Sequence, residues 1–246
     1  MPDLRAILVT GGSRGIGAAI CRRLAAAGHP VAVNYASGAP AAESVVAGIR
    51  AQGGRATAIA ADVSDPDAVA RMFDAAERDL GPLGGLVNNA GITGGTSRVD
   101  AYAPADLDRV LRINVAGPFL CAQQAVRRLS TAHGGAGGAI VNLGSVASRL
   151  GSAGEFVHYA MTKGAIDTFT TGLAREVAAE GIRVNAVAPG LIATDMNPQE
   201  RQDRLVSAIP AGRVGRADEI AEAVAWLLSD AASYVNGTIL TVSGGR

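Results

Sequence analysis

The segment VHYAMTK, residues 157–163, holds a phenol and an ammonium four positions apart, Tyr159 and Lys163. On a helix, side chains at i and i+4 share a face one turn apart, so the two groups can meet. A phenol alone titrates near about 10, and an adjacent cation stabilises its charged form. The pair therefore suits a proton donor and its tuning cation, although a solvated surface pair has the same spacing. Ser145 closes the run GAIVNLGS, fourteen positions earlier, and a strand there would deliver its hydroxyl to a sheet edge. Ser145, Tyr159 and Lys163 can then converge.

Asn114 falls inside a helical pattern over 104–131, with Pro118 four residues later. Proline has no N–H for the carbonyl of residue 114, so the helix is expected to kink and leave that carbonyl free. A water bound there could link Asn114 to Lys163 and relay protons. A surface asparagine beside a kink is the plainer alternative.

TGGSRGIG, residues 10–17, follows a short apolar run and precedes a helical pattern. Strand, glycines, helix N-terminus is the order of a phosphate cradle, where free amide hydrogens and the positive dipole end converge. Gly11, Gly15 and Gly17 fit TGxxxGxG, with Ser13 and Arg14 in the turn and Ile16 starting the helix. An ordinary strand-to-helix turn would read alike. At the end of the second strand, a carboxylate would bind the ribose 2′-OH and repel a 2′-phosphate. That position is Tyr35, flanked by Asn34 and Ser37, and Arg14 can neutralise a phosphate. NADP(H) is therefore expected in preference to NAD(H). Asp62 and Val63 follow the third strand, and Asn88, Asn89, Ala90 and Gly91 the fourth. Asp62 could accept from the adenine amino group, or it or Ser64 could cap the next helix. GGAGG at 134–138 has the reverse order, helix then strand, and reads as a connector.

These residues need a scaffold. Seven β-rich runs alternate with helical patterns: RAILVT, PVAVNY, RATAIAA, GGLVNNA, GAIVNLGS, GIRVNAVAP and TILTVSG. Helices are predicted from about Gly15 and Pro40 and near 65–80, 104–131, 156–180 and 217–229. Near-continuous apolar strands suit a parallel sheet covered on both faces. The expected fold is a Rossmann-like, doubly wound, seven-stranded α/β domain over 1–246, with ligands beyond the carboxyl ends of the strands. Hydrophobic residues make up 48% of the chain, enough for a large core. Basic and acidic residues balance at 22 each, so no field of one sign is available for nucleic acid or an anionic membrane. Cys21 and Cys121 have neither metal-ligand spacing nor disulfide density, and no metal site is expected. No apolar run reaches membrane-helix length, and the start lacks a signal-peptide pattern, so a cytoplasmic protein is expected.

The ordered set of TGGSRGIG, NNAG, Asn114, Ser145 and YxxxK resembles the short-chain dehydrogenase/reductase family, from residue 10 to the C-terminus. The resemblance implies reversible hydride transfer between a nicotinamide cofactor and a carbonyl or alcohol. Tyr159 would then protonate the alkoxide that hydride delivery leaves. Ser145 would hydrogen-bond the substrate oxygen, Lys163 would also hold the nicotinamide ribose, and Asn114 would take the relay role. In APGLIATDM, Pro189 and Gly190 follow the sixth strand, and the resemblance gives the nicotinamide amide to Ile192 backbone and the Thr194 side chain. Residues 191–212 read as a mobile lid or a long surface loop. Ala160, Gly164, Thr168 and Gly172 form a small-residue row at i+4 spacing, for close helix approach or packing on the chain's own sheet. The resemblance implies a homotetramer that pairs this helix and the C-terminal segment.

Ser145 and Tyr159 stand one residue further apart than the family's commonest arrangement. The extra residue is expected to bulge in the loop, near Ser152, Glu155, Phe156 and His158. Glu155 could bind a polar substrate group or cap the helix, and His158 reads as lining or packing. A 3-oxoacyl thioester reductase, a sugar or polyol dehydrogenase, and a non-catalytic cofactor sensor remain as alternative readings. Trp226 is expected in the core or at an interface.

Overall fold

The computed structural model describes residues 4–246; Met1–Asp3, the start of the expected domain, lie outside the described residues. All seven predicted strands form: β1 (Ala6–Val9), β2 (Val31–Tyr35), β3 (Ala56–Ala60), β4 (Leu83–Asn88), β5 (Gly138–Leu143), β6 (Ile182–Pro189) and β7 (Ile239–Val242). They make one sheet in the order β3-β2-β1-β4-β5-β6-β7, parallel throughout. Strand order reverses between β1 and β4, which opens a crevice at their carboxyl ends.

Each face of the sheet carries a core, which explains why the strands read as unbroken apolar runs. Ile7, Val9, Val33, Val87, Val141 and Val187 pack against helices α1 (Gly15–Ala26), α2 (Ala39–Ala51) and α9 (Ala217–Leu228). On the other face, Leu8, Leu86, Ile140 and Val184 meet α3 (Pro66–Leu80), α5 (Gly117–Leu129) and α7 (Val157–Glu176). Alternate strand residues feed opposite layers, as period-2 geometry requires. Both cysteines are buried and free.

The predicted helix over 104–131 is broken. α4 (Pro104–Leu111) passes into one wide turn, Arg112–Ala116, and then into α5. In that turn Gly117 N–H reaches back five residues to the Arg112 carbonyl. Pro118, which cannot donate, is accommodated in the first turn of α5. Between 191 and 212 there is a short helix, α8 (Gln199–Leu205), and Ile192 bridges to Gly215. Another short helix, α6 (Ala147–Leu150), follows β5.

Three expectations are narrowed. Asp65, rather than Asp62 or Ser64, caps α3 by accepting from the amides of Asp67 and Ala68. Of the two places expected for Trp226, the core is excluded, because its side chain is exposed on α9. Of the small-residue row only Ala160 is buried; nothing lies within 4 Å of a side chain added at Gly164 or Gly172, so that row does not pack on the chain's own sheet.

Candidate active site

The carboxyl ends of the strands border a cleft of about 1150 Å³. Its floor at one end is the turn after β1. Gly11 and Gly15 adopt left-handed backbone, with φ of 62° and 52°, so glycine is required there. A methyl group at Gly17 would lie 2.2 Å from the Gly11 carbonyl oxygen, which leaves helix α1 starting hard against the turn. Thr10 Oγ accepts from the amides of Asn89 and Ala90 at 3.0 Å, tying this turn to the one after β4. Asn89 returns the tie, donating from Nδ2 to the carbonyls of Thr10 and Gly11 at 2.9 and 3.0 Å.

Asn34 is buried, accepts from Gly11 N–H at 3.2 Å and donates to the Ala61 carbonyl at 3.0 Å. Its side chain braces the ends of β1, β2 and β3, leaving Tyr35, Ser37 and Arg14 as the outward groups. Arg14 is exposed and makes no ion pair among the described residues. Asp62 accepts from the amide and hydroxyl of Ser64, both at 2.8 Å, so part of its bonding capacity is already used.

At the other end, α7 carries Tyr159 and Lys163 inward. Its position is fixed by a buried polar ladder, Asn88 to Asn142 at 2.9 Å and Asn142 to Thr170 at 2.9 Å, joining β4, β5 and α7. Lys163 is buried and donates to the Leu143 carbonyl at 2.7 Å, with its nitrogen 5.5 Å from the centre of the Tyr159 ring. Burial pushes the Lys163 ammonium down to about 8, opposed by the charge of Asp167. Burial also pushes the Tyr159 phenol up to about 12, against a hydrogen bond with Ser145 that lowers it. The expected fall in the phenol pKa is thus absent, because desolvation outweighs the Ser145 hydrogen bond.

The Asn114 side chain is fully engaged. It accepts from Ile92 N–H at 2.9 Å and donates to the Ile92 carbonyl at 2.8 Å and to Thr162 at 3.2 Å. A methyl group at Gly91 would sit 3.4 Å from Asn114 Oδ1 and 3.8 Å from Lys163 Nζ, so Gly91 is the thin wall between these groups and the cleft. Asn114 itself stands behind that wall; every other residue singled out from the sequence for catalysis or cofactor binding lines the cleft. The open turn, the Gly91 wall and the unpaired Arg14 fit an extended phosphate-bearing ligand whose far end reaches Tyr159.

A family model described as Enoyl-(Acyl carrier protein) reductase matches residues 11–246. The Escherichia coli (strain K12) protein named uncharacterized oxidoreductase YgfF is 52% identical over 243 residues, covering 97% of this chain and 98% of that protein. The chain belongs to the short-chain dehydrogenase/reductase family. The 3-oxoacyl-(acyl-carrier-protein) reductase FabG of Staphylococcus aureus (strain Mu50 / ATCC 700699) is 41% identical over 248 residues, with 100% of this chain and 99% of that one covered. A solved short-chain dehydrogenase/reductase from Serratia marcescens matches with a TM-score of 0.93 at 39% identity, covering 100% and 99% of the two chains. One from Burkholderia cenocepacia, in complex with NADP, matches at 0.91 and 41% identity, covering 98% and 97%. As a member of the family, the chain is a NAD(P)-dependent oxidoreductase.

Several lining residues of this short-chain dehydrogenase/reductase carry no signal in the sequence. Met196, Arg201, Leu205 and the last residue, Arg246, reach the cleft only through the folding of distant loops. Glu155 does not cap α7, whose N-cap is Phe156, and it is not among the residues that line the cleft. It pairs with Arg201 and Arg204 of α8, which holds the segment after β6 against the loop before α7. Its carboxyl is held below the usual range by the Arg201 and Arg204 hydrogen bonds. The extra residue between Ser145 and Tyr159 is taken up by left-handed backbone at Gly151, Ser152 and Gly154; Ser152 is the one non-glycine with positive φ among the described residues. His158 packs face to face with Tyr102 and bonds the Thr93 carbonyl at 2.8 Å, away from the reacting groups.

Proposed function

We propose that this enzyme interconverts a ketone or aldehyde and its alcohol, using NADP(H) in preference to NAD(H), with Tyr159 as acid and base. The observation that carries the reading is the convergence of Ser145, Tyr159 and Lys163 at one end of a cleft whose other end is the glycine turn. The bound dinucleotide supplies the hydride. Ser145 and Tyr159 then bind the substrate oxygen, and Tyr159 gives it a proton in the direction of reduction. Lys163 stabilises the phenolate that remains and holds the nicotinamide ribose. Asn114 keeps Ile92 in place next to Gly91 and serves the proton path. Gly11, Ser13, Gly15, Ile16 and Gly17 take the pyrophosphate, Asp62, Val63, Ala90 and Gly91 the adenosine, and Pro189, Gly190, Ile192 and Thr194 the nicotinamide. Arg14, Tyr35 and Ser37 offer a cation and hydroxyls to a 2′-phosphate, with no carboxylate at position 35 to repel it.

Among substrates, a 3-oxoacyl thioester is supported over a polyol. Val146, Leu150, Phe156, Met196 and Leu205 make the substrate end apolar, and Glu155 is occupied by two arginines. The 41% identity to a 3-oxoacyl-(acyl-carrier-protein) reductase points the same way. A homotetramer in the cytoplasm is part of the same reading, supported by the open row Gly164, Thr168 and Gly172 beside the exposed Met161 and Phe119. Among the described residues no helix is long and apolar enough to cross a membrane.

Tyr159→Phe tests the mechanism. NADPH-dependent reduction of a 3-oxoacyl thioester is expected to fall by about 10²-fold or more while NADPH binding persists. Unchanged turnover would sink the assignment.

A further inference from the structure

One half-buried carboxylate has no part in the chemistry above. Asp167 stands one turn beyond Lys163 on the inward side of α7. Its Oδ1 is the single buried side-chain polar atom among the described residues without a hydrogen-bond partner. Native proteins leave few such atoms, because each carries an uncompensated desolvation cost. The oxygen is aimed at the end of β5, where a methyl group at Gly144 would lie 3.2 Å from it. Gly144 sits between Leu143, whose carbonyl holds Lys163, and Ser145.

We propose that Asp167 is a positioning residue whose carboxylate is the counter-charge that keeps the buried Lys163 ammonium protonated beside Tyr159. This inference rests on the assignment of Tyr159 and Lys163 as the acid–base pair. The two side chains form no direct ion pair among the described residues, so the field acts through space, from the buried Oδ1 of Asp167 to the buried Lys163 ammonium. Every element around Lys163 can be checked for a rival. α7 brings Tyr159 and Asp167, the turn after β4 brings Gly91 with the Asn114 amide behind it, and β5 brings the Leu143 carbonyl and Ser145. On the Asp167 side, β6 contributes the Val187 carbonyl and Ala188 around Gly144. Asp167 is the one carboxylate in this set. A buried lysine without such a partner loses its proton readily.

The sequence offers a direct probe, because Lys163 is its only lysine; every other cation among the 22 is arginine. Protein labelled with carbon-13 at lysine Cε gives a single side-chain resonance, whose shift against pH reports the Lys163 pKa without any substrate. In Asp167→Asn the midpoint is expected to fall by about half a unit to one unit, and in Asp167→Glu to stay near the wild-type value. Asp167→Ser carries the same expectation as Asp167→Asn should the amide variant fail to fold. Melting temperature is expected to hold or rise on removal of a carboxylate whose buried oxygen has no hydrogen-bond partner. An unmoved lysine midpoint in Asp167→Asn or Asp167→Ser, or an equal fall in Asp167→Glu, overturns the proposal. The midpoint is read without turnover, whereas Tyr159→Phe turnover judges the acid–base assignment, so either idea can fail alone.

Discussion

Gly17→Ala adds one methyl group where the backbone leaves no room. The new carbon would stand 2.2 Å from the Gly11 carbonyl oxygen and 2.5 Å from Asn89 Nδ2. Both belong to the cradle: one is the turn itself, the other the brace that holds it to β4. Relief requires a shift of roughly 1 Å in a close-packed segment, and overpacking of this kind costs about 1–3 kcal/mol. Alanine recovers up to about 1 kcal/mol through helix propensity, because Gly17 lies in α1. If the turn gives way, the remainder appears as weaker NADPH binding, up to about 30-fold at about 1.4 kcal/mol per decade. If the turn holds, it appears as a lower melting temperature. NADPH fluorescence titration and thermal unfolding, run together, capture either outcome. Gly48→Ala in α2 is the control, since nothing lies within 4 Å of its added carbon, and it is expected to stabilise by about 1 kcal/mol. Wild-type affinity together with wild-type stability in Gly17→Ala would refute the account of the cradle.

Arg14→Ala is expected to raise KM for NADPH by about 10- to 100-fold and to leave NADH nearly unchanged, because a charge-assisted bond to phosphate is worth about 1.5–3 kcal/mol; steady-state kinetics with both cofactors decides. Glu155→Gln frees α8 from the loop before α7. Substrate KM is expected to rise several-fold while the unfolding free energy changes by less than about 1 kcal/mol, since partly exposed pairs contribute little. Lys163 titrates at about 8 in the folded chain against 10.5 in an ordinary lysine, so between those values the unfolded chain binds more protons. Its burial penalty is therefore relieved as pH rises, and the stability gap between Lys163→Met and wild type is expected to narrow from pH 8 toward 9.5, as measured by denaturant unfolding.

The layered sheet was legible in the sequence because buried parallel strands are apolar on both sides, and β5 and β6 read as continuous runs. The cradle was legible because left-handed backbone and close approach leave few choices besides glycine. The kink in the helix over 104–131 was legible from Pro118, but its form was not, because periodicity continues through the wide turn at Arg112–Ala116, where one extra residue changes the bonding and not the pattern. α8 was missed because QERQDRL has no apolar stripe; it is held by Glu155, more than forty residues earlier, and no local rule connects them. The expected lowering of the Tyr159 phenol failed for a different reason. Spacing reports which groups meet, but desolvation depends on everything else packed around them.

The loop from Ser145 to Tyr159 begins on a strand and ends on a helix, and both anchors are locked by the ladder through Asn142 and Thr170. Between those anchors the chain turns through left-handed backbone at Gly151, Ser152 and Gly154. Length and side chains can therefore be exchanged in this stretch as separate modules. Selection, natural or in the laboratory, can rewrite which molecule the enzyme accepts while inheriting its proton chemistry intact.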